Sequence, residues 1–178
     1  MTYFAEKYLH IQLKFYKIEQ FCAVILMFAI SGIVLAGVFS RYLLEEPFYG
    51  TDRLATYVFV LLSFWGIQMA SGYYEHITVG VVRQWIGTKM GAYLSALASL
   101  LTAVFLGYLA WVGYGFVRFL YEAQEKDIVL GLPMWIVYVF FVVAAIFSAL
   151  RYLMGVYLWL EVGQGRLSPE SFQRKTLA

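Results

Sequence analysis

Four long runs of uncharged, apolar residues constrain this chain more than any other feature of its sequence. The first, Phe21 to Phe39, reads FCAVILMFAISGIVLAGVF and stops at Ser40-Arg41. The second covers Leu54 to Tyr74 and the third Met90 to Val117. The fourth covers about Leu132 to Leu150, where Arg151 interrupts a pattern that apolar residues continue to Leu160. A helix rises about 1.5 Å per residue, so roughly 20 apolar residues cross a bilayer's hydrocarbon. Inside lipid the backbone polar groups must satisfy one another, which a helix does within its own segment. The expected fold is therefore an all-α integral membrane protein with four transmembrane helices (about 21–39, 54–74, 90–117 and 132–150) and both termini on one side. Of 178 residues, 62% are hydrophobic and 13% charged, about half the charge of a soluble domain. Mean hydropathy is +0.73. A single membrane domain over 1–178 uses up this length and leaves no room for a water-soluble catalytic module.

Orientation follows from the basic residues. With the N-terminus inside, the inner segments hold Lys7, Lys14, Lys17, Arg83, Lys89, Arg151, Arg166, Arg174 and Lys175, against Arg41, Arg53, Arg118 and Lys126 outside. Nine against four places both termini in the cytoplasm, with 161–178 as a cytoplasmic tail. The outer loops are also the acidic ones, carrying Glu45, Glu46, Asp52, Glu122, Glu125 and Asp127. In residues 1–20, Phe4, Tyr8, Ile11, Phe15 and Ile18 recur at alternating steps of four and three, which is one helical face. Lys7, Lys14 and Lys17 lie away from its centre, so an amphipathic helix flat in the membrane interface is expected, its lysines reaching lipid phosphates. Thr78 to Ile86 is too apolar for a solvated loop. It is read as a second flat helix, between spans 2 and 3, anchored by Trp85. The first apolar run is too long, and begins too far along the chain, for a cleaved signal peptide.

Chemistry is scarce. Intramembrane charge marks transport and proton paths, and none falls at the centre of the first three spans. Ser31, Ser63, Gln68, Ser71, Ser95, Ser99 and Thr102 are uncharged polar groups expected to hydrogen-bond between helices. Arg151, near a span end, is expected to snorkel to the interface rather than form an ion pair. Cys22 is the single thiol, which excludes an internal disulfide and cysteine-based metal sites. His10 and His76 fall outside the spans and cannot pair as haem ligands within a bundle. No nucleophile triad, phosphate loop or metal spacing stands out, so neither an enzyme nor a cofactor is expected. A net charge of +2 is too balanced for nucleic acid. Small residues four apart, at Gly32/Ala36, Ala103/Gly107, Ala144/Ser148 and Ala145/Ala149, suit a compact bundle. Gly113 and Gly115 are expected to bend the third helix. Three function classes fit these bounds: a scaffold subunit of a carrier, a self-sufficient small oligomeric membrane transporter, and a membrane anchor subunit of a redox complex.

Three blocks of residues separate them. Phe39-Ser40-Arg41-Tyr42 with Pro47; Asp52-Arg53-Leu54-Ala55-Thr56-Tyr57-Val58-Phe59-Val60 with Phe64-Trp65-Gly66; and Glu75-His76-Ile77-Thr78-Val79 together resemble the small membrane subunit of tripartite ATP-independent periplasmic (TRAP) transporters, the DctQ family. Leu132 to Tyr138 is similar to that family's last helix. The family usually carries an aromatic and paired acids before the second span, where this chain has Gly50-Thr51-Asp52-Arg53. The proline often found within the last helix is missing between Phe140 and Ala144. The resemblance implies a non-catalytic subunit of the bacterial inner membrane that binds no substrate. A large membrane subunit would carry the solute and sodium sites and move as an elevator braced by this chain. A periplasmic solute-binding protein would deliver an organic acid such as a dicarboxylate or sugar acid. On this reading Arg41, Asp52 and Arg53 sit at the outer mouth, fixing the first loop, meeting a partner, or only anchoring helix ends. Glu75 and His76 form a lock on the cytoplasmic side, with Glu75 accepting backbone N–H bonds at the start of the flat helix.

Overall fold

The computed structural model describes residues 3–46, 48–71 and 87–167. They form four helices: α1 (Tyr3–Tyr42), α2 (Thr51–Ala70), α3 (Thr88–Glu122) and α4 (Met134–Gly163). Each is long and apolar enough to cross a membrane. At about 1.5 Å per residue α2 is roughly 30 Å long and matches the hydrocarbon core, while α1 reaches about 60 Å and α3 about 52 Å, so both overrun it.

Local chemistry sets the helix ends. Gly50 precedes α2 at φ 83°, a left-handed conformation that only glycine adopts without strain. Asp52 stands in the first turn of α2 and Arg41 in the last turn of α1, each where its charge complements the helix dipole. Pro133 caps α4 with φ −63°, a torsion its ring enforces.

The most extensive contact joins α3 to α4. On α3 it is a seam of small residues, Ala92, Ala96, Ser99, Ala103, Ala110 and Gly113, all buried. Ala144, Ala145, Ser148 and Ala149 of α4 are buried as well. Small side chains let two helices approach closely, and in lipid close packing replaces hydrophobic exclusion as the attraction. Gly113 serves this contact: an added Cβ would lie 2.9 Å from the Phe141 ring. Edge-on pairs Phe116–Tyr138 and Tyr121–Trp135 close the half next to the α3–α4 loop, and a cluster around Leu158, Trp159 and Val162 closes the other end.

α1 packs on α2, and α2 on α4, whereas α1 and α3 make no comparable contact. The helices therefore stand in the spatial order α1–α2–α4–α3, as an open row. This corrects the compact bundle expected from small-residue spacings. Ala144/Ser148 and Ala145/Ala149 are used, but Gly32 and Gly107 meet nothing within 4 Å, because among the described residues no helix lies on those faces. Gly113 and Gly115 sit within α3, which runs unbroken from Thr88 to Glu122.

The N-terminal segment also differs from its expectation as a separate flat helix. α1 runs as one helix from Tyr3 through the first span. Ile11, Phe15 and Ile18 face a groove lined also by Phe147, Leu150 and Met154 of α4. The flat helix expected over 78–86, together with Glu75, His76 and Trp85, lies outside the described residues, as does most of the tail expected over 161–178.

Candidate functional site

Two polar constellations hold the row together, one at each end of α2. The first joins the α1–α2 and α3–α4 loops. Asp127 is 8% exposed. Its Oδ1 accepts from the backbone N–H groups of Val129 (2.9 Å) and Leu130 (2.7 Å), and its Oδ2 accepts from the Tyr57 hydroxyl at 2.6 Å. The first two bonds form the local turn that Asp favours, and the third ties that turn to α2. The Tyr57 hydrogen bond, helped by the bond from Leu130, holds the Asp127 carboxyl below its ordinary value of 3.8. Arg53 nearby adds to the effect. Main-chain bonds Asp127 N–H to Leu132 O and Met134 N–H to Glu125 O close the loop into a small hairpin, and Leu130 packs over Gly50. Ser40, 1% exposed, donates to Gly37 O and accepts from Phe48 N–H, fixing the turn out of α1.

Arg41 and Asp52 meet here, Nη2 to Oδ2 at 3.2 Å, both well exposed. In water such a pair contributes about 0–1 kcal/mol, so it orients the loop more than it stabilises the chain. Arg53 is exposed in the same turn.

The second constellation is buried. Glu19 of α1, Gln68 of α2 and Arg151 of α4 are each at most 8% exposed. Arg151 Nη2 donates to Glu19 Oε1 at 2.5 Å, and Nη1 to the Gln68 carbonyl at 2.9 Å. Gln68 Nε2 donates to Glu19 Oε1 at 3.0 Å, and Trp65 Nε1 to the Glu19 carbonyl at 3.0 Å. The Gln68 carbonyl lies in the last turn of α2, where carbonyls lack helical partners, so Arg151 and the Ser71 hydroxyl (2.6 Å) take that place. Gln68 and Arg151 each lie about 25 Å along their helices from the ends next to the α1–α2 and α3–α4 loops, at one level near the far edge of a roughly 30 Å hydrocarbon layer.

This overturns the expectation that Arg151 snorkels. Its partner, Glu19, stands two residues before the first apolar run, and α1 carries it straight into the helix row, where a guanidinium without a carboxylate would be strongly disfavoured. Sequence reasoning named Gln68 as an inter-helix hydrogen bonder, and it is one. It missed Glu19, Tyr57 and Asp127. A signal existed only for the last, since Asp127 followed by Gly131 has the composition of a turn. Lys14 and Lys17 are exposed on α1, and Lys7 lies on the same helix.

Among the described residues no group of three His, Cys, Asp or Glu side chains is placed to hold a metal. Glu19, Gln68, Arg151, Tyr57 and Asp127 instead join one element to another, whereas Ser31, Ser63, Ser95 and Thr102, expected to bond between helices, donate to carbonyls one turn back in their own helix. The family model for the DctQ component of tripartite ATP-independent periplasmic transporters matches residues 30–161, from the middle of α1 to the last turn of α4. A search of curated proteins finds no match. With well over half of the chain matched by that family model, and four helices able to cross a membrane, the chain belongs to the DctQ family, the small membrane component of TRAP transporters.

Proposed function

We propose that the chain is a non-catalytic scaffold that braces the large, moving membrane subunit of a sodium-driven TRAP carrier in the bacterial inner membrane. The observation that carries this is the open row. The most apolar stretch of α1 has none of its residues buried within the chain, and that of α2 has 6%. α1 covers only the stripe that packs on α2 and leaves the rest of its surface to lipid or to another protein, whereas α3 and α4 seal against each other. A carrier working alone would enclose a polar path. Here the one buried cation among the described residues, Arg151, is matched by Glu19 at an end of the row, which suits a brace.

On this reading the large subunit meets the α1–α2 side in a stable complex. A periplasmic solute-binding protein docks transiently, and an organic acid is the cargo. Arg41, Asp52 and Arg53 flank the loop that would face the outer partners. Glu75 and His76 are proposed as the cytoplasmic lock, and Lys7, Lys14, Lys17 and Trp85 as membrane-interface anchors.

The test is to tag the chain in its native host, extract it in mild detergent and identify co-purifying proteins by mass spectrometry. A large polytopic partner in stoichiometric amount is expected. Recovery of the chain alone, together with solute flux from the pure chain in liposomes, would overturn the scaffold.

A further inference from the structure

Bracing through α1 and α2 leaves unexplained the outward face of α3, at the opposite end of the row. Leu101, Val104, Tyr108, Trp111, Gly115 and Arg118 recur at alternating steps of three and four, the spacing of a helix–helix seam. All six are exposed, on the side of α3 turned away from the small residues that meet α4. Gly115 has nothing within 4 Å of where a Cβ would stand.

Two observations bear on what covers this face. The first is the depth of its polar groups. Arg118 and Glu122, an exposed ion pair at 2.7 Å, stand where the apolar run of α3 ends. Trp111 and Tyr108 lie about 10 and 15 Å along the helix from Arg118, so Tyr108 is near the middle of a roughly 30 Å hydrocarbon layer. Trp111 is 72% exposed. The two rings lie beside each other, centroids 6.2 Å apart, but neither the Tyr108 hydroxyl nor the Trp111 N–H has a hydrogen-bond partner among the described residues. Lipid tails carry no acceptor, so both groups would go unsatisfied among them, whereas another polypeptide can supply one. The second observation is that the polar groups complement themselves. A tyrosine hydroxyl both donates and accepts, and Arg118 with Glu122 presents both signs of charge.

We propose that α3 pairs in the membrane with α3 of a second copy of this chain. Copies of one chain share an orientation in the bilayer, so the two-fold axis runs along the membrane normal and the two helices lie parallel. Like positions then meet. The two Tyr108 hydroxyls bond each other, and the Trp111 ring lies over Gly115 of the other copy, where no side chain stands in the way. Arg118 reaches Glu122 of the other copy. The large subunit is assigned to α1 and α2, so the two contacts do not compete, and the pairing stands or falls separately from the scaffold.

The experiment uses the full chain in native membranes, with Cys22→Ala removing its one thiol. Leu101→Cys, Val104→Cys and Gly115→Cys each keep both aromatics, and mild oxidation should join each to its counterpart as a band of twice the chain mass. Tyr114→Cys and Phe116→Cys, about 100° to either side of Gly115 and also exposed, should give little of that band. Gly115→Leu meets nothing in its own chain. It should leave thermal stability in detergent unchanged while lowering the Val104→Cys band on the order of tenfold. Arg118→Glu alone and Glu122→Arg alone should each lower that band about fivefold, and coexpressing the two variants should restore it. Equal crosslinking at 104, 114 and 116 overturns the pairing, as does a band that Gly115→Leu leaves unchanged or a charge loss that coexpression does not restore. So do adducts at 104 that contain only a different polypeptide, since another protein's helix would then cover the face.

Discussion

A single buried arginine shows what each residue of the row answers to. Arg151 is tolerated at its depth because Glu19 neutralises it and because the last turn of α2 leaves the Gln68 carbonyl open to it. Removing one charge strands the other, which costs about 3–5 kcal/mol, whereas replacing both with apolar side chains is often near neutral. Arg151→Met alone and Glu19→Leu alone should therefore each lower stability by that amount. The double variant should recover most of it, as read by unfolding in mixed detergent micelles. Additive losses would show that the two charges do not depend on each other. Gly50 is the second such position, held at φ 83° with Leu130 2.6 Å from where a Cβ would stand. Gly50→Ala should cost about 1–2 kcal/mol in the same assay. Neither residue was legible in its role. Arg151 looked like an ordinary span-end arginine because its partner is 132 positions away, and Gly50 carries no local mark that separates a required left-handed turn from an optional one.

At the scale of elements, the α3–α4 pair and the loop joining it carry the rigid half of the chain. Gly113 and Gly107 are both glycines of α3, yet one faces Phe141 and the other open space. Gly113→Leu should force the helices apart and lower thermal stability by several degrees, while Gly107→Leu should be nearly silent; equal effects would contradict the packing. The loop's own anchor titrates. The folded Asp127 carboxyl lies below its ordinary value of 3.8 because of the Tyr57 hydroxyl, so the anchor's contribution is complete above that value. It is lost as pH falls through the lower, folded value. Hydrogen exchange of residues 123–133 should stay slow from pH 7 to about 4 and then, corrected for intrinsic rates, rise steeply in more acidic solution. Asp127→Asn should remove that step. The number and type of the helices were legible, since an uninterrupted apolar run in lipid has few alternatives. Helix ends were less so: α1 begins well before its apolar run and α4 continues past Arg151, because once helices pack on one another a buried, paired charge no longer ends a span.

For the whole molecule, the decisive property is that four helices stand in a row without closing. Phe28 and Leu35 of α1 are 76% and 67% exposed. Photocrosslinkers at these two positions should therefore yield a heavier protein adduct in native membranes. Lipid adducts alone at 28 and 35 would remove the surface assigned to the large subunit. Sequence by itself determined the solvent, the four crossings and the family, because each rests on local composition and on short ordered blocks of residues that survive whatever the packing. Only the tertiary structure decided the open row, the continuity of α1 and the pairing of Glu19, Gln68 and Arg151. The physical reason is that every candidate face of these helices is apolar. Against lipid, which is as apolar as the helices themselves, hydrophobicity does not select a neighbour. The selection falls to close contact between small residues and to a few polar groups far apart in the chain, and both become visible only when the helices are in place.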